Sequence, residues 1–158
     1  MRAAVVTVSD RSFRGERPDV SGPVLKRLLE HAGADVIETV VVPDEPSMIA
    51  QTLIRLADEM HCEVIMTTGG TGLSPRDTTP EATRGVIEKE LFGIELAIQQ
   101  ESLKQTPFAM LSRGVAGARG LRVERALLPA REREPLAAPH PAAASTGVGD
   151  RPVARQHC

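Results

Sequence analysis

Cysteine is scarce in this chain of 158 residues: Cys62 and Cys158 are the only two. They are too few for a disulfide framework and cannot complete a zinc site alone. Charge of one sign is lacking as well. The formal net charge is −2, which removes the usual electrostatic reason to expect nucleic acid or an anionic membrane as partner. Long apolar runs are missing, and none approaches the roughly 20 residues that span a bilayer. The opening segment, residues 1–6, is too short for a signal peptide and reads as a strand. A reducing cytoplasm is the simplest compartment, and at this length one domain with a core of useful size is the default.

Aromatic residues are nearly absent, at 2%, and the few present are unevenly placed. Phe13, Phe92, Phe108, every methionine and every isoleucine lie before residue 113. The 38 residues 121–158 contain five of the twelve prolines, eight alanines and six arginines, with no Ile, Phe or Met. The pattern divides the chain into a domain at 1–120 and an atypical Ala/Pro/Arg-rich tail at 121–158, expected to be poorly ordered because its composition buries little apolar surface.

Within the first part, apolar β-branched runs alternate with amphipathic ones. Residues 3–8 read as a strand buried on both faces, and 36–42 and 64–66 as a second and a third strand. Pro23 suits a first helical turn, Val24, Leu25, Leu28, Leu29 and Ala32 line one face, and Gly33 ends that helix. Asp44-Glu45-Pro46 opens a second helix whose Ile49, Leu53, Leu56 and Met60 follow helical spacing. Thr79 is expected to cap a third helix over residues 81–104, bent at Gly93, and residues 108–111 to form a further strand. Alternating strands and helices argue for an α/β sheet with crossover connections. Ligands in such sheets sit beyond the carboxyl ends of the strands, where the polar runs 9–12, 43–45 and 67–77 fall.

The run Thr68-Gly69-Gly70-Thr71-Gly72 is neither a Walker loop nor a Gly-x-Gly-x-x-Gly turn. Its glycines allow positive φ, and its N–H groups and hydroxyls suit a phosphate or carboxylate; a tight strand-to-helix turn is the alternative. Asp77 fits either an Asx turn or a Mg²⁺ site, and Asp44 either a helix cap or such a site. Two aspartates at the same sheet end as an anion loop favour a metal–phosphate site. Asp10 and Arg11 follow the first strand, and Ser112-Arg113 the last readable one; a salt bridge and plain loop polarity are the bland readings. Buried, inert packing is expected of Cys62. No Ser-His-Asp or Cys-His set is evident, which disfavours nucleophilic hydrolysis.

Thr7-Val8-Ser9-Asp10-Arg11, Pro43-Asp44-Glu45, Thr68-Gly69-Gly70-Thr71-Gly72, Arg76-Asp77-Thr78-Thr79-Pro80-Glu81 and Leu111-Ser112-Arg113 occur in that order. Together they resemble the MoaB/Mog family of molybdenum-cofactor biosynthesis proteins, over about three quarters of the chain. The resemblance implies a doubly wound, mostly parallel sheet with helices on both faces. It also implies Mg²⁺-dependent transfer of AMP from ATP to molybdopterin, a homotrimer or hexamer, and handover to a molybdate-inserting protein. By the same resemblance Asp77 and Asp44 are the catalytic and metal-binding pair. Gly69, Gly70, Thr71 and Gly72 would cradle the ATP phosphates, with Thr68 in the same cofactor-binding run. Ser9, Asp10, Arg11, Ser112 and Arg113 surround the pterin, with Ser74, Pro80 and Glu81 completing the cofactor-binding set.

The likeness breaks after Gly120, since the family's apolar strand, its Leu-Pro-Gly-Ser turn and its final helix have no counterpart in 121–158. Two explanations stand: a divergent tail, or a reading-frame change near residue 120. The codons permitted for residues 129–133, shifted by one base, allow Leu-Pro-Gly-Ser among other peptides. Two other functions remain open: a catalytically weak molybdopterin-binding or scaffold protein, and a nucleotide hydrolase of related fold.

Overall fold

The computed structural model describes residues 1–120 and the backbone of residues 126–130. Six strands form one sheet: β1 (Arg2–Val8), β2 (Asp35–Val42), β3 (Val64–Thr68), β4 (Lys89–Glu90), β5 (Gly117–Ala118) and β6 (Ala126–Ala130), in the order β2-β1-β3-β6-β5-β4. β1 runs parallel to β2 and β3, and β3 parallel to β6. β5 is antiparallel to both β6 and β4. The helices are α1 (Asp10–Phe13), α2 (Ser21–His31), α3 (Pro46–Ile54), α4 (Thr79–Arg84) and α5 (Phe92–Leu103).

Side chains alternate across a strand, so a strand covered on both faces must be apolar throughout. β1 shows this directly. Ala3 and Val5 pack with Leu25 and Leu29 of α2. Ala4, Val6 and Val8 face the other way, onto Ile49 and Leu53 of α3 and Ala82 of α4. The sheet is therefore wound with helices on both faces, as expected. Cys62 is buried in the second of these clusters.

Beyond Ile54 the α3 helix widens into a π-helical stretch, Arg55–Glu59, which closes with the Met60 N–H on the Arg55 carbonyl at 2.9 Å. Leu53 and Leu56 both stay fully buried across the change.

Three expectations are corrected. The helix expected over 81–104 is interrupted: α4 ends at Arg84, and β4 intervenes before α5. The interruption has a tertiary cause, because the Glu88 and Leu91 N–H groups bond the Ala118 and Ala116 carbonyls at 2.8 Å each. Gly117 permits the approach, since a Cβ there would lie 2.4 Å from Ile87 Cδ1. Residues Pro107–Leu111 form a 3₁₀ turn rather than a strand, opened by Pro107 and by the Phe108 N–H donating to Thr106 Oγ1 at 3.4 Å.

The third correction concerns residues after 120, whose composition argued against a further strand. Ala126–Ala130 nevertheless adds β6 between β3 and β5, with Thr67 opposite Pro129 and Thr68 opposite Ala130. Five residues suffice where both neighbouring strands offer their edges, even though Pro129 contributes no N–H to the ladder. The rest of the tail lies outside the described residues.

Candidate functional site

The parallel strands β1, β2 and β3 deliver three polar loops to one end of the sheet. A cavity of about 220 Å³ opens there, lined by Ser9, Asp44, Gly69, Gly70 and Asp77 among others.

The β1 and β2 loops are tied to each other. The Asp10 N–H donates to Asp44 Oδ2 at 2.7 Å, and the Asp44 N–H donates to Asp10 Oδ1 at 3.1 Å. Ser9 caps α1, its hydroxyl accepting from the Ser12 N–H at 3.2 Å. Asp44 does not cap α3: Glu45 holds that position and makes no side-chain cap bond. The Asp44 carboxylate is turned instead to the Asp10 amide.

The two carboxyls are driven apart in acidity. Burial raises the Asp44 pKa above the ordinary value, assisted by the charges of Asp10 and Asp77 and opposed by the Asp10 N–H and Arg76. For Asp10, desolvation pushes upward, but hydrogen bonds from the Arg76 guanidinium and the Asp44 N–H outweigh it and hold the pKa low. Arg76 grips Asp10 through Nε at 3.1 Å and Nη2 at 2.8 Å, joining the third loop to the first.

The glycine run after β3 adopts left-handed backbone at two consecutive residues, Gly69 (φ +90°) and Gly70 (φ +62°). At Gly69 a Cβ would fall 2.1 Å from the Val8 carbonyl oxygen, so the loop lies directly on β1. At Gly70 it would meet Thr79 Oγ1 at 2.3 Å and Asp44 Oδ1 at 3.1 Å. Thr79 is not the expected cap: it is the first residue of α4, and its hydroxyl donates to the Gly69 carbonyl at 3.0 Å. Its N–H bonds the Gly70 carbonyl at 3.1 Å. The loop carbonyls are thus turned to protein. Among the described residues, the N–H groups of Gly70, Thr71 and Gly72 meet no protein acceptor.

Asp77 closes a turn with Ser74, whose N–H donates to Asp77 Oδ2 at 2.8 Å. The Asx-turn reading and the site reading therefore coexist, since Asp77 also lines the cavity. Among the described residues no three His, Cys, Asp or Glu side chains form a cage for a metal ion. What exists is a negative pair, Asp44 and Asp77, beside unpaired loop amides. That donor set suits a Mg²⁺ shared with substrate phosphates rather than a cation held by protein alone.

Thr68, Thr71, Gly72, Ser74, Pro80 and Glu81 do not line the cavity, and among the described residues the buried Thr68 hydroxyl meets no hydrogen-bond partner. Arg11 is exposed, and neither it nor Ser112 lines the cavity. Arg113 Nε donates to the Gly72 carbonyl at 2.8 Å and Nη2 to the Asp77 carbonyl at 2.6 Å, while Nη1 pairs with Glu81.

A further part of the cavity lining lies outside the residues the sequence points to. Arg17, Asp19 and Ser21 form it, together with Thr7. Asp19 accepts from Thr7 Oγ1 at 2.8 Å and from the Gly22 N–H at 3.0 Å, fixing the start of α2 against β1. The available signal was Asp19-Val20-Ser21-Gly22 just before Pro23, an acidic cap ahead of a helix.

A family profile described as "Probable molybdopterin binding domain" matches residues 4–134. The chain is 46% identical over 118 residues to the molybdenum cofactor synthesis protein cinnamon of Drosophila melanogaster, covering 73% of this chain and 20% of that protein. It is 43% identical over 117 residues to the molybdopterin adenylyltransferase of Haemophilus influenzae, covering 73% of this chain and 59% of that enzyme. Thus it spans less than two thirds of either curated relative. The crystal structure of the molybdopterin biosynthesis enzyme MoaB from Thermus thermophilus superposes with a TM-score of 0.73 at 44% identity, covering 81% of this chain and 80% of that one.

Proposed function

The chain belongs to the MoaB/Mog family of molybdopterin-binding domains, and we propose that it transfers AMP from ATP to the terminal phosphate of molybdopterin. A phosphate oxygen of molybdopterin attacks the α-phosphorus of ATP. The bond from that phosphorus to the bridging oxygen breaks, and pyrophosphate leaves. Such a transfer needs charge neutralisation and in-line positioning more than a strong base.

One observation carries the reading: Asp44, Asp77 and the left-handed pair Gly69-Gly70 line the same cavity at the carboxyl end of the sheet. The loop N–H groups offer hydrogen bonds to ATP phosphates. Asp44 and Asp77 are the residues that would hold Mg²⁺, which when bound neutralises charge on the transferred and leaving phosphates. Thr79, through its bonds to the Gly69 and Gly70 carbonyls, keeps the loop in its donating conformation. Ser9 and residues 17–21 also line the cavity and would accommodate the pterin. Incubation with ATP, Mg²⁺ and molybdopterin tests this: adenylylated molybdopterin with equimolar pyrophosphate supports it.

Self-association is part of the proposal. α5 has no buried residue, and Phe92, Phe108 and Met110 expose 70%, 74% and 65% of their surfaces. Such an apolar face is suited to further copies of the chain, as a trimer or hexamer. Among the described residues no helix is long and apolar enough to cross a membrane. A cytoplasmic site of action, with the product passed to a molybdate-inserting protein, completes the proposal.

A second reading rests on the missing Leu-Pro-Gly-Ser turn. Without it the chain binds molybdopterin and turns over weakly. Sequencing the gene across codons 115–135 distinguishes a genuine tail from a shifted frame.

A further inference from the structure

We infer that Arg113 is a positioning residue: its guanidinium fastens the glycine loop to the start of α4 and thereby sets the place of Asp77. This rests on the adenylyl-transfer reading, but its structural half can be tested without it. All three nitrogens of the guanidinium are engaged by protein. Nε reaches the Gly72 carbonyl at 2.8 Å, Nη2 the Asp77 carbonyl at 2.6 Å, and Nη1 the Glu81 carboxylate. The Arg113 N–H adds a fourth tie, to the Thr71 carbonyl at 3.0 Å. The partners therefore span residues 71–81, the whole passage from the glycine run through Asp77 into α4.

Three features separate this from direct substrate binding. Arg113 does not line the cavity. Its charge is already matched by Glu81, so a phosphate gains little Coulomb energy from it. Its fork reaches two separate carbonyls and a carboxylate at once, a planar arrangement that a lysine ammonium cannot reproduce.

The chemical consequence falls on Asp77. Among the described residues, the other ties of its turn are the Ser74 bonds and the Arg76 hydrogen bonds to Asp10, and both Ser74 and Arg76 are exposed. With Arg113 released, residues 71–77 lose their ties to it, while Thr79 still holds Gly69 and Gly70 and the core under β1 and β3 is unchanged. Small displacements of a positioned group cost rate far more than binding.

The test uses the full chain with Arg113→Gln and Arg113→Lys, read in two ways. Hydrogen exchange without substrates is expected to rise about tenfold or more at the hydrogen-bonded amides of Ser74 and Asp77 in both variants, with core strand amides unaltered. In AMP transfer, kcat is expected to fall about tenfold or more in both, with KM for ATP within about threefold of the parent. Arg113→Lys supplies the answer if Arg113→Gln does not fold. Unchanged loop exchange, a Lys variant with parental kcat, or a raised KM at unchanged kcat each overturns the inference. If the parent chain transfers no AMP, the reaction assignment fails by itself, and the exchange measurement still decides the clamp.

Discussion

Asp10 and Asp44 each donate a backbone N–H to the other's carboxylate, at 2.7 and 3.1 Å, across 34 residues of sequence. The exchange locks the β1 and β2 loops together, with Asp44 in the lining of the cavity. Arg76 compensates Asp10 with paired hydrogen bonds, leaving Asp44 as the carboxyl whose ionisation is opposed. The site is thus electrostatically poised for a cation.

That asymmetry fixes a pH dependence. The Asp44 pKa is raised in the folded chain by burial and by Asp10 and Asp77. Its contribution to stability is fully present below the unfolded value and is lost as pH rises through the folded value. Asp44→Asn removes this cost, so the variant is expected to melt about 1–3 °C above the parent at pH 7. The difference should vanish as pH falls below the ordinary aspartate value of 3.8. Thermal melts from pH 3.5 to 8 check the sign. A variant less stable than the parent throughout would mean that the Asp10 bond outweighs the ionisation cost.

Gly69 and Gly93 make a paired test of backbone demand. Gly69→Ala places a Cβ on the Val8 carbonyl at a residue with φ +90°. A loss of about 2–4 kcal/mol in urea unfolding is expected, from strain and steric contact together. Gly93 lies in α5 with nothing within 4 Å of a Cβ. There Gly93→Ala is expected to stabilise by about 0.4–1 kcal/mol.

Phe92→Glu combined with Phe108→Glu tests the exposed face of α5 and the 3₁₀ turn. Both rings are more than two thirds exposed and lie outside the core clusters. Sedimentation velocity is expected to show an oligomer for the parent and a monomer for the double variant, with the same circular dichroism. An oligomer that persists in the variant places the interface elsewhere.

Much of the architecture was legible because β1 and the α3 helix carry uninterrupted local patterns. Residues 3–8 are apolar on both faces because both faces are covered. Ile49, Leu53 and Leu56 repeat at helical spacing and are all fully buried. The failures came where distant pairing decides. Lys89–Glu90 joins the sheet only because Gly117-Ala118 runs beside it, and nothing in its own residues announces a strand. Likewise, β6 is held by β3 and β5 despite Pro129. At the site, Asp44, Asp77 and the glycines stood out by residue type and spacing. Asp19 did not, because an acidic cap and a cavity wall look alike in sequence. Arg113 was legible as a loop arginine, but its partners at 72, 77 and 81 depend on the fold.

The most direct measurement is AMP transfer by the parent chain beside Asp77→Asn. The substituted amide keeps an oxygen for the Ser74 N–H, so the turn and the melting temperature should be preserved. With ATP, Mg²⁺ and molybdopterin, the parent is expected to give adenylylated molybdopterin and equimolar pyrophosphate, and the variant at least about 100-fold less. Equal turnover by the two proteins at matched metal and ATP would contradict the assignment of Asp77 and the account built on it.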